Sequence, residues 1–159
     1  MSLKADLKKP YLFQELNDSE LRIIEAISEV KTFNRGDHIF NQHDVPQALF
    51  VIQYGSVRSE AFGPETDHEY GYGLLGNGSM FGEASFLSRT TRALSATAME
   101  NVNVIQISFS ALKAVLDENK DLALKVYQAL GKHLGNVFHK SMLDLTRLRE
   151  QSDHRRQIL

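Results

Sequence analysis

The chain has 159 residues, 42% of them hydrophobic and 24% charged, with a formal net charge of −2, which suits one domain of ordinary size with an extension. It contains no cysteine, and this excludes disulfides, iron–sulfur clusters and thiolate zinc sites. No apolar run approaches the ~20 residues of a membrane span, and the start MSLKADLKKP lacks the apolar core of a signal peptide, so a cytoplasmic protein without membrane insertion is expected.

The N-terminal segment, residues 1–30, reads as helical. Asn17 followed three residues later by Glu20 has the form of a capping box, and Leu21, Ile24 and Ile27 then repeat at helical spacing behind Phe13 and Leu16. It is expected to pack on the body as a structural helix with no role of its own.

From residue 31 to 109 the texture changes to short β-prone runs broken by turn residues. KTFNRGDHIF turns at Arg35-Gly36-Asp37, ALFVIQYGSVRSEAF places Gly55 between two strands, and EYGYGLL, ALSATA and VNVIQIS follow. Several short strands without an intervening long helix predict an antiparallel sandwich or jelly roll. A jelly roll with histidines also admits a cupin-like metal enzyme. That site needs two His two residues apart, a Glu shortly after and a later His, and His38, His43 and His68 do not show this spacing. Ser85 and Ser95 have no nearby histidine to form a hydrolytic triad and read as turn and strand residues.

Within this region the run Phe81 to Thr97 carries the chemistry. Glu83 and Arg92 stand nine residues apart in a segment rich in Ala, Ser and Thr. A guanidinium forks onto two phosphate oxygens, and small residues beside it let backbone N–H groups reach the same anion. Glu83 would repel that phosphate, so in a shared pocket it must meet a donor such as a sugar hydroxyl. An anion with a hydroxyl nearby describes a nucleotide. The competing reading is an exposed Glu–Arg salt bridge of little energetic consequence.

Residues 110–159 read as helices: Ser110 to Leu116, then a long pattern from about Asp121 toward Arg156. Leu130, Leu134, Val137/Phe138, Ser141/Met142, Leu145 and Leu148 form a stripe longer than a β domain of this size can cover, so a partner helix is expected to cover it. Gly131 and Gly135 share one face and permit close backbone approach. Residues through Phe109 include 9 basic and 14 acidic side chains and the remainder 9 and 6. The end, with Arg147, Arg149, Arg155 and Arg156, is thus only mildly basic, and binding to DNA is not expected.

The run GNGSMFGEASFLSRTTRALSAT resembles the phosphate-binding cassette of the cyclic nucleotide-binding domain family, whose pattern is Phe-Gly-Glu, a short helix, then Pro-Arg-Ala. Phe81, Gly82, Glu83, Arg92 and Ala93 match it, and Thr91 stands where the proline often sits. FNRGDHIFNQHDVPQALFVIQYGSV also looks like the family's first strands. The resemblance implies a mainly β fold, an antiparallel β-roll (double-stranded β-helix) with an N-terminal helix and a long C-terminal helix. It implies a non-enzymatic regulatory module that binds a cyclic nucleotide, with cAMP favoured because Ala93 follows the arginine. Arg92 would hold the cyclic phosphate and Glu83 the ribose 2′-hydroxyl. Gly82, Ala84 and Ser85 would line the phosphate, with Ala84 to Leu87 forming one helical turn. On the C-terminal helix, ungapped counting puts the base contacts near Asn136, Val137 and Phe138, where the apolar pair can stack on a purine without reading its edge. The same helix joins homodimers in the family. No metal or other cofactor is implied, and the chain ends without the length of a helix-turn-helix domain. A scaffold of this fold that has lost its ligand stays open as an alternative.

Overall fold

The computed structural model describes residues 2–63 and 66–157, with backbone alone for 62–63, 66–72 and 153–157; the side chains of His68, Arg155 and Arg156 therefore lie outside the described residues. The elements in order are α1 (Lys4–Leu7), α2 (Asp18–Ala26), β1 (Ser28–Phe33), β2 (His38–Phe40), β3 (Ala48–Tyr54), β4 (Val57–Gly63), β5 (Thr66–Leu75), β6 (Met80–Phe81), α3 (Ser85–Ser88), β7 (Ser95–Ala98), β8 (Val102–Ser108), α4 (Phe109–Glu118) and α5 (Lys120–Gln157). The strands form two four-stranded antiparallel sheets, ordered β1-β8-β3-β6 and β2-β7-β4-β5. This is the expected β-roll with flanking helices.

The strand sequences explain the layering. Successive side chains of a strand point to opposite faces, and in β3 Leu49 and Val51 face the helices while Phe50 and Ile52 face the second sheet. Both faces are covered, so β3 is a continuous apolar run with no alternation. β8 divides in the same way, with Ile105 and Ile107 toward the helices and Val102 and Val104 toward the roll interior. The outer core adds Leu7, Phe13, Leu16, Ile24, Leu112, Val126 and Leu130 from the helical segments. Burying each such side chain is worth about 1.5–3 kcal/mol, so both helical ends are fixed to one sheet. At the β3–β4 turn Gly55 has φ +89°, and a Cβ there would lie 2.7 Å from the Asn101 carbonyl oxygen; no other residue fits.

The capping box forms as expected: Asn17 Oδ1 accepts from the Glu20 backbone N–H at 2.9 Å, and Glu20 Oε2 accepts from the Asn17 N–H at 2.8 Å. Glu20 also accepts from Lys125 Nζ at 2.8 Å, tying α2 to α5. Of residues 1–30, expected to be helical, α1 and α2 are helices, while Ser28 to Val30 already belong to β1. α4 starts one residue earlier than expected, at Phe109, because Ser108 caps it by accepting from the Ala111 N–H at 3.2 Å. α5 is 38 residues long, about 57 Å at 1.5 Å per residue. Its first turns are covered through Leu130; beyond Leu134 its apolar residues are exposed.

Candidate functional site

The short strand β6 pairs with β3, Phe81 opposite Phe50 and Met80 opposite Val51. This brings the chain to the mouth of the roll, where Gly82 takes φ +80° and redirects it into the single turn of α3. That turn runs Ser85–Ser88, one residue later than expected, and stops at Arg89 in the left-handed conformation (φ 54°). The return segment is pinned to the β2–β3 loop: the Arg92 N–H donates to the Asp44 carbonyl at 2.9 Å, and the Arg92 carbonyl accepts from the His43 N–H at 2.8 Å. With its backbone held on both sides, the Arg92 side chain points inward.

Arg92 is 4% exposed. Its Nη1 donates to the Gly82 carbonyl at 2.6 Å and its Nη2 to the Ala48 carbonyl at 2.5 Å. The guanidinium carbon lies 4.1 Å from the centre of the Phe40 ring and 5.7 Å from that of Phe109. Nε is buried without a partner, and no carboxylate among the described residues pairs with the group. Burial pushes its pKa down, while the charges of Glu83 and Asp44 oppose that shift. A buried guanidinium without an ion pair is costly, and the placement is explained if an anion completes it.

Glu83, 8% exposed, does not pair with Arg92, so the pair is not an exposed salt bridge. Its Oε1 accepts from the Tyr11 hydroxyl at 3.2 Å and lies 3.7 Å from His133 Nε2. Tyr11 and His133 are stacked, centroids 4.0 Å apart and planes at 15°. Burial, with the Glu83 charge beside it, raises the Tyr11 pKa far above the usual phenol range, so its hydroxyl remains a donor. Three distant parts of the chain thus meet: the N-terminal segment, the loop after β6, and α5.

Both charges border one cavity of about 380 Å³, within the ~300–1,000 Å³ range of small-molecule sites. Of the residues predicted from sequence, Gly82, Glu83, Ala84, Ser85, Arg92, Ala93 and Val137 line it. Phe138 does not; it is 68% exposed. Asn136 borders an adjoining groove together with Tyr11. Consecutive helix residues point about 100° apart, so 136, 137 and 138 cannot share a face. The cavity takes Val137 and the residue one turn earlier, His133. Sequence reasoning missed His133 and Tyr11. The four-residue step back from Val137 was the available signal for His133, whereas nothing local marks Tyr11, which reaches Glu83 across 72 positions. Phe40 and Leu75 complete the apolar wall. As for metal chemistry, His38 Nδ1 is bonded to Thr97 Oγ1 at 3.0 Å, and among the described residues no cluster of three or more metal-ligating side chains occurs.

Residues 30–119 match the family model described as cyclic nucleotide-binding domain. The cyclic AMP receptor protein of Thermus thermophilus is 31% identical over 104 residues, which is 64% of this chain and 46% of that protein. The cAMP-dependent protein kinase regulatory subunit of Debaryomyces hansenii is 30% identical over 105 residues, 65% of this chain and 22% of that protein. Among solved structures, Thermus thermophilus catabolite activator protein superposes with a TM-score of 0.78 at 27% identity, covering 87% of this chain and 62% of that one. The chain spans less than half the length of the curated relatives it matches.

Proposed function

The chain belongs to the family of cyclic nucleotide-binding domains, and we propose that it binds cAMP in the cavity between the β6–α3 loop and α5 and reports occupancy through α5. The observation that carries this reading is Arg92, which is buried, unpaired by any carboxylate among the described residues, has its Nε free of partners, and lines the same cavity as Glu83. Arg92 would bind the cyclic phosphate with the N–H groups at the start of α3, Ala84 and Ser85, and Gly82 would let the backbone approach. Glu83 would accept from the ribose 2′-hydroxyl. Ala93 and Val137 would bound the ligand from opposite sides, Val137 against the base.

The module is read as a non-enzymatic sensor. A nucleotide that binds the arrangement with α5 closed over the cavity better than an open one shifts the population toward closure. In this division of labour residues 31–109 hold the ligand, 1–30 brace the site, and 110–159 close it and join two copies. Phe138, exposed beside Val137, is assigned to the partner-facing stripe. Among the described residues no helix is long and apolar enough to cross a membrane; the sensor is read as cytoplasmic.

The test is a thermal titration with cAMP, cGMP and 5′-AMP. A ligand confined to the folded state adds RT ln(1 + [L]/Kd), about 2.7 kcal/mol at a hundredfold excess over Kd, so cAMP should raise the melting temperature by several degrees. 5′-AMP, with its dianionic and uncyclised phosphate, should do so much less. No shift at millimolar cAMP would make the chain a scaffold of this fold without the ligand.

A further inference from the structure

The carboxylate of Glu83 is held asymmetrically. Oε1 takes the Tyr11 hydroxyl at 3.2 Å and faces His133 Nε2 at 3.7 Å, while Oε2 has no hydrogen-bond donor among the described residues. We propose that Tyr11, fixed by its stack on His133, is a positioning residue that anchors Glu83 through Oε1 and so presents Oε2 to the sugar hydroxyl of the bound nucleotide, which makes Tyr11 a determinant of ribose over deoxyribose selectivity. This rests on the cyclic-nucleotide reading above and adds a residue from the N-terminal segment to the recognition of the sugar.

A carboxylate left to rotate freely in a cavity wall gains little from one neutral hydroxyl, because ordering the side chain offsets the bond. Anchoring one oxygen removes that cost beforehand, which is the general benefit of preorganisation. The Tyr11 hydroxyl suits the task because, with its pKa well above the ordinary phenol range, it stays protonated and can only donate toward a carboxylate. Its ring is held by the His133 imidazole at 4.0 Å, so the anchor also joins α5 to the N-terminal segment. Ligand sugar, Glu83, Tyr11 and His133 then form one chain of contacts.

The experiment measures binding of cAMP and 2′-deoxy-cAMP to the full chain, wild type and Tyr11→Phe. Phenylalanine keeps the ring stack and removes only the hydroxyl. The expected result is a roughly three- to tenfold loss of cAMP affinity, the net worth of one hydrogen bond, with 2′-deoxy-cAMP affinity unchanged, so that the preference between them shrinks by the same factor. In a Glu83→Ala background the Tyr11→Phe change should alter neither ligand. A merely structural role would weaken both ligands alike, and because both are measured on the same protein, any loss of folded fraction cancels in their ratio. An unchanged ratio in a protein that binds cAMP overturns the positioning role alone. A wild type that binds neither ligand overturns the cyclic-nucleotide reading and this inference with it.

Discussion

The carbonyl of Gly82 accepts from Arg92 Nη1 at 2.6 Å, and a Cβ added to Gly82 would sit 2.9 Å from that same nitrogen. One residue therefore supplies an acceptor for the guanidinium and the space in which it lies. Its φ of +80° adds a second constraint, since an L-residue there is strained by about 1–2 kcal/mol. Gly82→Ala should lower the melting temperature by several degrees and, by moving Arg92, weaken cAMP binding tenfold or more. Gly36→Ala is the control: its φ is +88° but a Cβ there meets nothing within 4 Å. It should lose similar stability and keep its affinity for cAMP.

Arg92→Lys separates charge from shape. The guanidinium donates to two carbonyls, those of Gly82 and Ala48, and still has N–H groups for a phosphate. An ammonium on a flexible stem cannot reproduce that fork. Affinity for cAMP should fall at least tenfold, about 1.4 kcal/mol, as read by calorimetric titration. Glu83→Ala should cost a similar factor for cAMP and almost nothing for 2′-deoxy-cAMP. Equal losses for the two ligands would remove Glu83 from sugar recognition.

What could be read from the sequence follows the range of the interactions. The capping box at Asn17 and Glu20, the turns at Gly36 and Gly55, and the succession of short strands broken by turns are set by neighbours in the chain, and they stand where they were expected. Seven of the residues predicted for the site border one cavity because they lie in one contiguous segment or on the helix face opposite it. Tyr11, Phe40 and His133 were not legible. They reach the site only through the tertiary packing of the N-terminal segment, β2 and α5, and an aromatic or histidine in such places has no local pattern to mark it. Phe138 was included by counting along the chain, a measure that ignores the 100° turn per residue of a helix. The two-residue strand β6 was also missed, being too short for any periodicity.

Acid should loosen the link between α2 and α5. Burial works against ionisation of Glu20, but hydrogen bonds from Lys125 and from the Asn17 N–H, with the Lys125 charge, outweigh it and hold the carboxyl below its ordinary value. A folded-state pKa below the unfolded one means stability that is present above the unfolded value and lost as pH falls through the folded one. With Lys125 about a third exposed, solvent screening limits the contribution to roughly 0.5–1 kcal/mol. Glu20→Gln should therefore melt lower than wild type at pH 7. The difference should close as the pH falls below about 4 and the wild-type carboxylate protonates. A gap that persists unchanged into acid would assign the loss to packing instead of charge.

The distal half of α5 makes the remaining prediction. Phe138, Met142, Leu145 and Leu148 are 68%, 46%, 48% and 62% exposed, whereas Leu130, nearer the start of the helix, is 1% exposed. The roll covers the helix only as far as its own outer core extends, and the apolar stripe continues at three- to four-residue spacing past that limit. A second helix of the same kind, related by a two-fold axis, would match such a stripe. Each leucine or phenylalanine so buried contributes about 1.5–3 kcal/mol, enough in sum for a dimer at micromolar concentration. A Cβ placed on Gly131 or Gly135 would meet no atom within 4 Å, so both glycines lie on an open side of α5. Sedimentation of the full chain should give a dimer, and truncation before Leu134 a monomer. Leu145→Glu should also give a monomer, but with its β-roll intact, because Leu145 touches neither core cluster. A full-length chain that sediments as a monomer at high concentration would mean that this stripe does not join two copies.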